Sequence, residues 1–296
     1  VPHLDSAAEQ TLTVEVPGAT LTVGTAGDPQ APAVLLVHGF ASSRRDNWVR
    51  TRWLPPLVDA GFRVVAPDLR GHGDSSRPRR LAAYSVPRFV ADLVAVLDAA
   101  DARVAHVVGY SLGARLAWEL AARHPERVAS LVVGGPPVLG SFAGFDLAAA
   151  HATLRVSSDP AASPNASPLN SATARYLAMA TMNSNDPEAL LRVAEAVRRS
   201  AFDPRRSRSG HPLLVVAGDD DEVAEASRAL AADLDGRFVG LAGRDHVSAV
   251  TSRVFKDEVV AFVTAAEQAR RADPGRPTPG RQDPTPGRQD PTPGHP

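Results

Sequence analysis

The 296-residue chain has no cysteine, which removes disulfides, thiolate catalysis and Cys-ligated zinc or iron–sulfur centres. It lacks an uncharged run near the roughly 18 apolar residues needed to span a bilayer. Its first ten residues, VPHLDSAAEQ, carry neither the basic flank nor the apolar core of a secretion signal. A cytoplasmic protein without membrane contact is expected. Excess charge is also missing: 32 Lys and Arg against 33 Asp and Glu leave -1, with both signs mixed along the chain. No electrostatic footprint for nucleic acid follows from that balance. The arginine doublets at Arg44 and Arg45, Arg79 and Arg80, Arg198 and Arg199, and Arg205 and Arg206 read as solvated faces among acids and helices.

What the chain does have is a rhythm of short β-branched runs. TLTVEV and TLTVGTA, within residues 11–26, flank Pro17-Gly18 and predict a hairpin. Six further runs follow at 33–39, 62–68, 104–110, 128–135, 212–218 and 237–243, separated by helix-like segments. Runs that are apolar on both faces predict a mostly parallel, doubly wound α/β sheet covered on each side, with an antiparallel N-terminal edge. Residues 1–10 read as a flexible lead, with the core at 11–137 and 210–272. Segment 138–209 breaks the rhythm with a Ser/Pro/Asn-rich loop at 157–170 and reads as an inserted, partly helical lid; Asp186 caps a helix there with Pro187 at its first position. Residues 273–296 contain the repeat PTPGRQD PTPGRQD PTPG, too rich in Pro and Gly to pack, and are expected to be disordered.

Within GYSLG, residues 109–113, Ser111 stands between two glycines. G-x-S-x-G arises by chance roughly 0.1 times in a chain this long. The context is more selective. VAHVV precedes the motif as a strand, and a helix with apolar Leu112, Leu116 and Leu120 follows until Pro125. A strand, sharp turn and helix project a serine hydroxyl above the strand ends, where small neighbours leave room for the turn. Serine is a weak nucleophile at neutral pH and needs a base, an orienting carboxylate and oxyanion donors.

Of nine histidines, only His38, His72 and His246 fall at predicted strand C-terminal ends or the loops after them, where open α/β sheets place their sites. His246, which follows the last strand and is read as opening the final helix, is the candidate base. Asp219, Asp220 and Asp221 lie just beyond the preceding strand; one of them is the candidate acid, against a plain reading as helix caps. The order Ser, Asp, His matches that of this elbow motif. The donors are the backbone N–H of Leu112 and one in the loop HGFASSRRDNW, which nominates Phe40.

These motifs together resemble the α/β-hydrolase superfamily over about residues 11–272: HGF (38–40), APDLRGHGDS (66–75), GYSLG (109–113), GDDD (218–221) and GRDH (243–246). The resemblance selects Asp221 as the acid, makes His38 and His72 structural, and makes Asp68 a turn-forming residue. It implies a serine hydrolase that cleaves an ester or related acyl bond of a small to medium, largely apolar substrate through an acyl-enzyme, with no metal or organic cofactor. A serine at the nucleophile position disfavours haloalkane dehalogenase or epoxide hydrolase chemistry through an aspartyl ester. The same residues also serve perhydrolases or haloperoxidases, C–C hydrolases and non-catalytic ligand-binding or regulatory proteins. Apolar side chains of the inserted segment, Leu139, Phe142, Phe145, Leu154, Tyr176, Leu177, Met179 and Met182, line the substrate or pack on the core; Tyr110 and Phe40 wall the acyl pocket or belong to the core. Oligomeric state is not specified by the sequence.

Overall fold

The computed structural model describes residues 9–138, 140–142, 144–158, 169–182, 185–205 and 210–273. Strands β1 (Gln10–Val16) and β2 (Ala19–Ala26) form the expected hairpin, closed by two residues of which Gly18 takes φ 76°, a conformation glycine adopts without steric cost. Residues 1–8 of the expected flexible lead lie outside the described residues; Glu9 and Gln10 do not belong to one, since Gln10 pairs with Thr25 and the Glu9 carboxylate accepts from Arg44 Nε at 3.1 Å.

Each of the six apolar runs is a strand: β3 (Ala33–Val37), β4 (Arg63–Pro67), β5 (Ala105–Tyr110), β6 (Val128–Gly134), β7 (Leu213–Gly218) and β8 (Arg237–Leu241). They build one eight-stranded sheet in the order β1-β2-β4-β3-β5-β6-β7-β8, parallel from β4 to β8. β2 joins β4 antiparallel. Strand β3 shows why such runs are apolar throughout. Ala33, Leu35 and Val37 face one core layer with Phe89, Leu93, Leu116 and Leu120, whereas Val34 and Leu36 face another with Trp48, Trp53 and Phe255. Successive side chains point to opposite faces, so a strand covered on both sides needs apolar residues at every position, each buried Val or Leu contributing about 1.5–3 kcal/mol.

Helices α2 (Val86–Ala99), α3 (Leu112–Arg123) and α7 (Ala224–Asp233) cover the first face; α1 (Leu54–Asp59) and α8 (Arg253–Ala272) cover the second. The final helix starts later than read. Residues 245–248 form a turn in which Asp245 Oδ1 accepts from the N–H groups of Val247 and Ser248, a local bond that competes with helix. Ser252 caps α8 instead, its hydroxyl accepting from Phe255 N.

Between β6 and β7 the described residues contain no strand but three helices, α4 (Leu147–Ser158), α5 (Ser171–Thr181) and α6 (Pro187–Arg198). Asp186 caps α6 by accepting from Ala189 N at 3.1 Å, with Pro187 at its first position. Leu139, most of the 157–170 loop and the repeat tail lie outside the described residues. Among the described residues, no helix is long and apolar enough to cross a membrane.

The chain passes from β3 out to β4 and returns to β5 on the other side of β3. Loops leaving β3 and β5 therefore diverge at their carboxyl ends, opening a crevice at the switch point, where ligands bind in sheets of this kind.

Four histidines, His38, His72, His106 and His211, are buried. Burial pushes His38 and His72 below the usual imidazole range and His211 down to about 4. A base depressed in the folded state contributes stability that is complete above its unfolded pKa near 6.5 and is lost as pH falls toward its folded pKa, because the unfolded chain takes the proton first. Urea denaturation is therefore expected to show stability falling below about pH 6.5, by at most about 1.4 kcal/mol per pH unit for each such histidine. His211→Leu should flatten that slope; an unchanged slope contradicts the assignment.

Candidate active site

The elbow between β5 and α3 consists of Ser111 alone, at φ 54° and ψ -114°. This is a sparsely populated backbone state for a residue with a Cβ, and it persists only where the surroundings enforce it. Ser111 N donates to Gly134 O at 2.8 Å, and Arg115 N donates to Ser111 O at 3.2 Å. The flanking glycines are required by contact: a Cβ on Gly109 would lie 2.2 Å from Gly113 O, and one on Gly113 would lie 2.0 Å from Val37 O.

His246 Nε2 lies 3.0 Å from Ser111 Oγ, and its Nδ1 lies 2.7 Å from Asp221 Oδ2. Of the three aspartates after β7, only Asp221 faces the imidazole. Its side chain is buried, and Oδ1 also accepts from Val223 N at 3.2 Å just ahead of α7, so it serves the local turn as well. Asp219 and Asp220 are exposed, their backbone N–H groups donating to Leu241 O and Arg244 O. The turn at 245–248 carries His246 to the crevice. Histidines 38, 72 and 106 are buried elsewhere; His106 Nδ1 lies 2.8 Å from Ser130 Oγ. Among the described residues, no group of three or more His, Asp or Glu side chains is disposed to hold a metal ion.

The loop after β3 closes the other side. A Cβ on Gly39 would lie 3.4 Å from Ser111 Cβ, so the His38–Ala41 backbone runs directly against the serine. Gly39 N donates to Asn47 Oδ1 at 2.8 Å, and Asn185 Nδ2 donates to Ala41 O at 2.9 Å. His38 fixes the loop as a neutral imidazole: Nε2 accepts from Leu69 N at 3.0 Å, which leaves Nδ1 to donate to Gly39 O at 2.8 Å. The Phe40 N–H lies in this loop and the Leu112 N–H is the first of α3, where helical N–H groups lack intrahelical partners and the dipole favours an anion.

Beneath the loop, Asp68 accepts from Arg44 N at 2.7 Å and Asp74 N at 2.9 Å, and its carboxylate also pairs with the Arg44 guanidinium. A turn-forming Asp68 therefore joins the two loops. Arg44 departs from the solvated reading of the doublets, since its side chain is buried while Arg45 is exposed. Arg44, Asn47 and Asn185 escape sequence reasoning because each acts through a partner distant in sequence or through backbone, neither of which leaves a spacing signal.

Phe40 packs edge-on against Phe142 and Tyr176 of the inserted segment, with ring centroids 4.8 and 6.1 Å away, and Phe145 completes the cluster. Leu177 is buried, Leu154 and Met179 are partly buried against the core, and Met182 is 56% exposed. Tyr110 is buried on the opposite side of the elbow, between His246 and Phe255.

The sequence profile described as "alpha/beta hydrolase fold" matches residues 32–251, about three quarters of the chain. The chain belongs to the alpha/beta hydrolase fold family. Epoxide hydrolase A of Mycobacterium tuberculosis is 42% identical over 126 residues, 43% of this chain and 38% of that protein. The match spans less than half the length of the curated relatives it reaches. A solved hydrolase from Pseudomonas aeruginosa PA01 is 29% identical with a TM-score of 0.67, covering 86% of this chain and 98% of that one. A carboxylesterase structure from the thaumarchaeon Nitrososphaera gargenis, 18% identical with a TM-score of 0.69 over 88% and 100% of the two chains, shares the fold. Members of this fold family carry different chemistries, so the site must decide among them.

In this alpha/beta hydrolase-fold chain, Arg44→Leu would strand the Asp68 carboxylate in the interior without its cation. The expected cost is about 3–5 kcal/mol of folding stability by equilibrium denaturation. A loss below about 1 kcal/mol would show that the pair does not hold the two loops together.

Proposed function

We propose that this protein hydrolyses carboxylic esters or related acyl bonds through an acyl-enzyme on Ser111. The observation that carries the reading is the unbroken chain from Ser111 Oγ through His246 to the buried carboxylate of Asp221, at 3.0 and 2.7 Å. In the first half-reaction His246 Nε2 takes the Ser111 proton as Oγ attacks the carbonyl carbon. Asp221 fixes the tautomer through Nδ1–H and stabilises the imidazolium. The N–H groups of Phe40 and Leu112 receive the oxyanion, each such donor being worth about 3 kcal/mol in the transition state. His246 then protonates the departing alcohol. Water repeats the sequence, releasing the acid and restoring the serine.

Epoxide opening, the activity in the name of the 42%-identical relative, fits this site poorly on chemical grounds. Attack by Oγ on an epoxide carbon would leave Ser111 as an ether, which has no carbonyl for water to attack. An ester on a carboxylate nucleophile has one; position 111 is a serine. The acyl-transfer reading therefore takes precedence over the name.

Helices α4 to α6 are inferred to act as a lid over the crevice at the ends of β3 and β5. The aromatic contacts of Phe142 and Tyr176 with Phe40 support this, and their apolar character favours an uncharged small to medium acyl substrate over a charged one. Perhydrolysis would use the same acyl-enzyme with hydrogen peroxide in place of water.

The test is a panel of acyl esters of graded chain length, lactones and a styrene-oxide-type epoxide, assayed with wild type and Ser111→Ala. Ester turnover that falls on the order of 10³-fold or more in Ser111→Ala, with no epoxide turnover, is the expected result. Epoxide hydrolysis surviving that substitution, or full ester activity in the variant, overturns the reading.

A further inference from the structure

Tyr110 precedes the nucleophile in sequence, yet its side chain leaves the strand on the other side and reaches back to His246. Its hydroxyl donates to the His246 backbone carbonyl at 2.5 Å, and the two rings lie 5.7 Å apart at 44°. Two glycines at the end of β6 make this possible. A Cβ on Gly134 would lie 2.7 Å from Tyr110 Cδ2 and 2.7 Å from Phe255 Cζ, so the tyrosine ring occupies space that any side chain would fill. A Cβ on Gly135 would lie 2.9 Å from His246 Cε1 and 3.1 Å from Nδ1, and Gly135 stands at φ 51°. The Gly135 backbone is itself held, its N–H donating to Val216 O at 2.8 Å.

We infer that Tyr110 and Gly135 form a positioning clamp on His246: the tyrosine anchors the residue by its main-chain carbonyl, and Gly135, having no Cβ, leaves a close-fitting slot for the imidazole edge that carries Nδ1. The clamp answers a mechanical need. His246 lies in the irregular turn 245–248, and its side chain is 38% exposed, so the ring would otherwise be steered only by its bonds to Asp221 and Ser111. Anchoring its carbonyl to the residue adjacent to the nucleophile ties base and serine to one strand end, and misplacement of reacting groups by about 1 Å costs on the order of 10²-fold. Burial, with the nearby carboxylates of Asp221 and Asp245, pushes the Tyr110 hydroxyl upward from its ordinary range, so it stays a donor throughout the working pH range.

The inference rests on the acyl-transfer reading for its kinetic consequence but not for its structural one, and two readouts separate them. Tyr110→Phe keeps the ring and removes only the hydroxyl; Gly135→Ala leaves Tyr110 intact and presses on the imidazole from its other side. With each folded variant, ester kinetics are measured together with the downfield proton resonance of the His246 Nδ1–H bonded to Asp221. The clamp predicts kcat lowered about tenfold or more with KM within about twofold, and the resonance broadened by exchange with solvent, in whichever variant folds. A sharp wild-type-like resonance with unchanged kcat in the variants overturns it, as does absence of the resonance from the wild type. If the wild type turns over no ester, the functional reading fails and the resonance alone judges the clamp.

Discussion

At Ser111 the backbone turns through φ 54° and ψ -114°, and two close approaches allow it: Gly113 against the carbonyl of Val37 and Gly109 against the carbonyl of Gly113. The turn therefore depends on β3, β5 and α3 meeting at their closest possible distance. That packing is set by the central parallel strands, whose side chains are buried on both faces. Stability of the sheet and exposure of the serine are in this sense one property: loosening the core would relax the elbow, and relaxing the elbow would withdraw the hydroxyl from the crevice.

The other parts of the site are fixed to the same strand ends. Asp221 follows β7, Gly135 follows β6, Tyr110 closes β5 and the His38–Ala41 loop leaves β3. Supports for the loop come from two sources. Asn47 and the Arg44–Asp68 pair hold it from the core, while Asn185 and the aromatic cluster around Phe40 hold it from the inserted helices. Movement of those helices would thus act on the backbone that carries Phe40, linking closure over a substrate to the geometry of an oxyanion donor.

The fold was legible because a strand covered on both faces needs unbroken apolar runs, and six such runs separated by helical segments after a hairpin admit few arrangements. Positions at strand ends also singled out Ser111 and His246, which the structure brings within hydrogen-bonding distance. Three adjacent aspartates could not be told apart by pattern; burial distinguishes Asp221, and only the family resemblance pointed to it beforehand. The start of the last helix was misplaced because Asp245 satisfies nearby N–H groups with its own side chain, which mimics a cap. Tyr110, Asn185 and Arg44 were invisible as supports since their partners lie 136, 144 and 24 residues away. Composition and periodicity record which side of an element is buried, not which distant atom it meets.

The proposed chemistry turns on a covalent acyl intermediate on Ser111. Rapid-quench mass spectrometry of the protein mixed with an activated acetate ester, followed by peptide mapping, addresses it most directly. The expected result is a transient mass increase of one acetyl group on the peptide containing Ser111, formed and lost at rates that match turnover. Turnover without that adduct, or an adduct confined to another residue, would contradict it.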